Sequence, residues 1–125
     1  MAQNKVMRFG PVALTNTLTT NILNVGAGAL ATPPVGYTFT QDYIILRHVR
    51  IVNKTAGAVT FSLYIGATGG NAAGTEFIGT ALSVAANSAF DWYGMARLDS
   101  ADFLVGGASA ATSLTFEAEG EIGKS

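Results

Sequence analysis

Hydrophobic and polar positions alternate with a period of two along most of the chain, the pattern of strands that bury one face. In AVTFSLYIG, Val59, Phe61, Leu63 and Ile65 fall on one side, and Ala58, Thr60, Ser62 and Tyr64 on the other. Upstream, YIILRHVRIVN is rich in β-branched residues. Lys54-Thr-Ala-Gly57 between the two runs has turn chemistry, so they are expected to pair as a hairpin. In SAFDWYGMARL, Phe90, Trp92, Ala96 and Leu98 share one parity, and Asp91, Tyr93, Met95 and Arg97 the other. That phase directs Trp92 into a core and Tyr93 away from it. Further strands are predicted at residues 11–20, with Val12, Leu14 and Leu18 in phase, and at 80–84, 103–105 and 113–121.

The 15 glycines concentrate in the breaks between these runs, and no segment keeps a helical period beyond about two turns. Seven or eight short strands separated by turn signals predict an all-β, antiparallel β-sandwich, jelly-roll-like, in one domain spanning residues 1–125. Its predicted core is Val49, Ile51, Val59, Phe61, Leu63, Ile65, Leu82, Phe90, Trp92, Leu98, Phe103, Val105, Leu114 and Phe116. Residues 1–11 stand apart: Val6, Met7 and Phe9 have no evident place in that core, and Gly10-Pro11 separates them from the first strand. They are expected to form a docking arm, and the GAGALATPPVG loop is expected to act likewise.

Composition narrows the function. The chain is 49% hydrophobic and 12% charged, about half the usual charged share of roughly 25%, which suggests a surface partly covered by partner subunits. Seven Lys plus Arg against eight Asp plus Glu offer no basic field for nucleic acid. The absence of cysteine excludes disulfides, thiolate nucleophiles and cysteine-ligated metal centres. No signal-like run and no span approaching about 18 apolar residues is present, so a soluble chain made in the cytoplasm is expected, with no membrane partner.

Candidate chemistry is sparse. His48, the single histidine, would have to serve as base in any serine triad, yet no G-x-S-x-G elbow accompanies it. It is expected at a polar strand edge or a subunit contact. Glu117, Glu119 and Glu121 share one strand face about 6.6–7 Å apart. A cation site there, supplemented by Asp99 or Asp102, is weighed against a solvated face that discourages edge pairing, and the solvated face is preferred. IGATGGNAAGT lacks the Gly-Lys-Ser/Thr of a phosphate loop. Asn53–Thr55 fits a glycosylation acceptor that a chain without a signal peptide would not use. Arg47, on a regular strand, would project opposite to His48 and Arg50. No catalytic, cofactor or metal-binding residue is assigned. The candidate interface residues are Val6, Met7, Phe9, Tyr64 and Tyr93, the two tyrosines also being the candidate sugar platform.

Several of these segments carry a resemblance. LRHVRIVNKTAGAVTFSLYIGATGG, followed by GTALSVAANSAFDWYGMARLDSADFLVGGASAATSLTFEAEGEI, resembles the small β-sandwich structural proteins of tailed bacteriophages, as does the opening MRFGPVALTNTLTTNILN. The likeness rests on VNKT before a hairpin, a VAANS turn before an aromatic strand, and the final SLT-x-E-A-x-G-E-I. It implies a non-enzymatic virion protein, foremost a capsid decoration (cement) protein that binds the major capsid protein as a homo-oligomer, with a trimer favoured. A tail or fibre-base accessory protein is the runner-up, and a carbohydrate-binding module the alternative from another class. No cofactor is implied.

Overall fold

The computed structural model describes residues 5–24 and 43–123, which contain eight strands and no helix. They are β1 (Lys5–Ala13), β2 (Asn21–Asn24), β3 (Tyr43–Asn53), β4 (Val59–Gly66), β5 (Glu76–Val84), β6 (Ser88–Leu98), β7 (Phe103–Ala108) and β8 (Leu114–Gly123). The antiparallel pairs β1·β8, β2·β7, β3·β6 and β4·β5 are those of one long hairpin bent between β4 and β5. Rolling that ribbon sets β8 against β3 and β7 against β4. Two four-stranded sheets result, β1-β8-β3-β6 and β2-β7-β4-β5, the strand order of an eight-stranded jelly roll. Their inner faces enclose one core, with Phe9, Phe61 and Phe116 among its largest fully buried side chains.

The expected hairpin of β3 with β4 does not form, because the two strands lie in different sheets. Asn53 redirects the chain. Its buried side chain accepts hydrogen bonds from the Thr55 backbone N–H (2.9 Å) and hydroxyl (2.7 Å), and donates to the carbonyls of Gly57 (2.9 Å) and Val84 (3.0 Å). The Thr55 carbonyl accepts from Asn87 N–H (3.0 Å), so the same knot holds the β5–β6 turn. The VNKT motif is thus a crossover lock, and the Asn53 amide is committed to it.

The N-terminal segment also departs from expectation. β1 starts at Lys5, and Met7 and Phe9 alternate into the core, leaving Val6 and Arg8 outside. Gly10-Pro11 is a bulge within the strand: the register passes from Phe9↔Ala118 to Val12↔Phe116. Gly10 sits at φ +88, and a Cβ there would lie 2.8 Å from the Phe116 carbonyl oxygen. Leu14 is buried just past the strand, whereas Leu18 is exposed in the following segment. That segment is tied to β7 by Gly106 N–H to Thr20 O (3.0 Å) and Ala108 N–H to Thr15 O (2.8 Å).

β7 runs one residue out of the expected phase: Leu104 and Ala108, rather than Phe103 and Val105, face the core. Val105 is buried on the opposite face in register with Tyr64. Trp92 is partly buried and meets Phe77 of the other sheet edge-on, with ring centroids 5.0 Å apart. The remaining expected core residues of β3, β4, β5, β6 and β8 belong to the core or pack against it. The GAGALATPPVG loop (26–36) lies outside the described residues.

Candidate functional site

The outer face of the β1-β8-β3-β6 sheet gathers most of the chemistry the chain has. Its organising feature is a stepped bulge at Arg47. Between the rows through Leu46 and through His48, β8 advances one residue (Gly120 to Glu119), β3 two, and β6 three (Ala96 to Tyr93). The buried positions of β3 therefore change parity, from Ile44 and Leu46 to Val49 and Ile51. Arg47 and His48 consequently both point outward, and the basic cluster expected to split across the sheet stays together. Arg8, Arg47, Arg50 and Arg97, the chain's four arginines, all lie on exposed positions of this sheet.

Acidic residues from the flanking strands interleave with them. His48 is half-buried, its side chain 14% exposed, with Nε2 2.7 Å from Asp91 Oδ1 and Nδ1 3.1 Å from Glu119 Oε1. Arg50 Nε donates to the same Asp91 oxygen at 2.8 Å, and Arg47 Nε to Glu121 at 2.8 Å. The His48 ring stacks on Tyr93 at 4.5 Å and 9°. Farther along β6, Arg97 Nε donates to Asp99 at 2.6 Å while its guanidinium lies 4.3 Å from the Tyr43 ring centre.

Both ring nitrogens of His48 meet carboxylates, an arrangement that calls for the imidazolium, since a neutral ring has one N–H. Burial works against that charge, but the hydrogen bonds to Asp91 and Glu119 and their negative charges outweigh it, so the His48 pKa is raised. The hydrogen bond from Arg50, then that from His48, holds the Asp91 carboxyl below its usual range. The imidazolium also keeps Asp91 and Glu119 on its opposite sides. The three C-terminal glutamates are spread along their strand, with Glu119 on His48 and Glu121 on Arg47, and do not converge.

No protein-family model matches the chain, and no curated protein matches it either. The site therefore rests on its own geometry. Of the expected interface residues, Val6 (84% exposed) and Tyr93 (71%) lie on this face, and Met95 (65%), outside that expected set, joins them. Met7 and Phe9 are core residues, and Tyr64 is 7% exposed, so none of the three presents a contact surface in the folded chain. Alternation alone places Asp91, Tyr93 and the glutamates outward on their strands. The meeting of Asp91, Tyr93 and Glu119 at His48 depends on which strands are neighbours, which no local pattern carries. Elsewhere, a half-open cavity of about 330 Å³ lies beside Val12, Leu14, Ile22, Thr15, Thr20 and Asn21, with no titratable side chain among the described residues that line it.

Proposed function

We propose that this chain is a non-enzymatic structural subunit of a tailed-phage virion, foremost a capsid decoration protein that docks on the outer lattice as an oligomer. The observation that carries this reading is the outer face of β1-β8-β3-β6. It is a broad strand surface where Arg47, His48 and Arg50 are already paired with carboxylates of the same chain, and exposed Val6, Tyr93 and Met95 stand on the same face. Such a face contributes apolar contact area while the charges at its centre keep partners within the chain, the combination that favours protein contact surfaces. The eight-stranded jelly roll adds an analogy at the level of fold, since that architecture recurs in capsid and lectin domains.

The non-enzymatic reading draws on His48. With a carboxylate on each ring nitrogen, neither nitrogen is placed to take a proton from a serine hydroxyl. Docking would act by mass action: contacts available only on the assembled shell lower the free energy of the decorated state. Immunogold labelling of particles with an antibody to the protein tests this. Label over the whole head supports decoration. Label confined to the tail or one vertex moves the protein to the tail or fibre-base reading, and particles without label overturn both.

A further inference from the structure

We propose that β6 pairs with β6 of a second copy of this chain, antiparallel about a two-fold axis at Gly94. β6 is an edge strand, and among the described residues its ladder partner is β3. The other three edges are blunted. β1 carries the Gly10-Pro11 bulge, where proline offers no N–H; β2 is four residues long; and β5 accumulates extra residues between Phe77 and Leu82, with Ile78 and Ala81 at positive φ. β6 runs eleven residues with one bulge, at Gly94–Met95 opposite Arg47, and stays in regular register with β3 on either side of it.

Read backwards, β6 complements itself. With Gly94 on the axis, Asp91 faces Arg97 of the second copy and Tyr93 faces its Met95, and the symmetry repeats both pairs. Directly opposed residues on antiparallel strands bring their Cβ atoms to roughly 4.5–5.5 Å, within reach of an ion pair and a sulfur–aromatic contact. On the inner side the large Trp92 meets the small Ala96. Among the described residues, the bonds of Asp91 fall on Oδ1, and Arg97 uses Nε for Asp99 while its guanidinium lies over the Tyr43 ring, so Asp91 Oδ2 and the terminal guanidinium nitrogens of Arg97 are the atoms offered to the second copy. Charge also selects this register. Moving the axis to Tyr93 sets Asp91 against Met95, and moving it to Met95 sets Asp91 against Asp99.

The pairing is isologous and makes the basic unit a dimer in place of the expected trimer. Sedimentation velocity of the full chain tests it. The wild type should sediment at twice the chain mass. Arg97→Glu and Asp91→Lys should each sediment as monomers, because each sets like charges in opposition, and an equimolar mixture of the two should recover the dimer. Asp91→Lys also strips His48 of a partner, so the register has a second measurement that leaves the charges alone. The chain has no cysteine of its own. Under oxidation, Tyr93→Cys mixed with Met95→Cys should cross-link, whereas Met95→Cys alone should not, its two copies being offset along the strands. A monomeric wild type, wild-type mass in Arg97→Glu, or equal cross-linking by Met95→Cys alone overturns the proposal. None of these outcomes bears on particle labelling, so failure here and failure of the virion reading are distinguishable.

Discussion

Asp91 and Glu119 occupy the two ring nitrogens of His48, and that residue-scale geometry has a pH signature. The folded pKa of His48 is raised above its ordinary 6.5, so its contribution to stability is fully present below 6.5 and is lost as pH rises through the folded value. Asp91 has the opposite sign: its folded pKa lies below the ordinary 3.8, and its contribution, present above 3.8, is lost as pH falls through the folded value. The melting temperature should therefore fall on raising the pH from just below 6.5 to well above it, and His48→Gln should flatten that decline. A decline of the same size in His48→Gln would assign it to another group. Asn53 makes a different kind of prediction. Removing its side chain leaves the Val84 carbonyl and the Thr55 N–H short of a partner, while the Gly57 carbonyl keeps the Thr55 hydroxyl, so Asn53→Ala should cost about 2–3 kcal/mol in urea unfolding, given roughly 1–3 kcal/mol per stranded buried group. A loss under about 0.5 kcal/mol, the range of ordinary surface changes, would mean that water replaces the amide.

At the scale of elements, alternation was a good guide wherever a strand is regular. Phe61 and Leu63 in β4, and Leu114, Phe116 and Ala118 in β8, face the core as their parity requires, and the outward phase of Asp91 and Tyr93 holds as well. It failed where regularity fails. A period-two reading cannot anticipate the bulge at Arg47 that gives β3 buried residues of both parities, and FLVGGA in β7 has too little polar contrast to set a phase. β1 departs from its pattern for a related reason: Gly10-Pro11, a break by composition, is a bulge on an edge strand, where proline is tolerated. A docking arm could be cut away without loss of the fold, but a strand that supplies core residues cannot. Deleting residues 1–9 removes Met7 and Phe9 from the core and takes away much of β8's neighbour, so the shortened chain should lose its cooperative unfolding transition rather than fold and merely dock less tightly. Phe9→Ala, less drastic, should cost about 3–5 kcal/mol by denaturant titration, as for other buried phenylalanines. A cost near 1 kcal/mol would restore the idea of a loosely attached arm.

At the scale of the whole molecule, strand number and sheet type follow from pattern, but strand order does not, because a short connection between two alternating runs serves a hairpin or a crossover equally well. Order here comes from the folded ribbon, and its consequence is that the chain's first and last described strands close the structure against each other. β1 is one edge of its sheet and β6 the other, with β8 and β3 between them. The single tryptophan sits on the β6 edge, against Phe77 of the second sheet, and reports the contact between the sheets far from β1. Since one core runs through both sheets, a loss at the β1 edge should be felt at that tryptophan. Urea unfolding followed by Trp92 fluorescence and by far-ultraviolet circular dichroism should give superimposable transitions, and Phe9→Ala should lower both midpoints equally. If the fluorescence midpoint stayed at its wild-type value while the dichroism midpoint fell, the β1–β8 edge would be unfolding on its own. The jelly roll would then be two cooperative units rather than one.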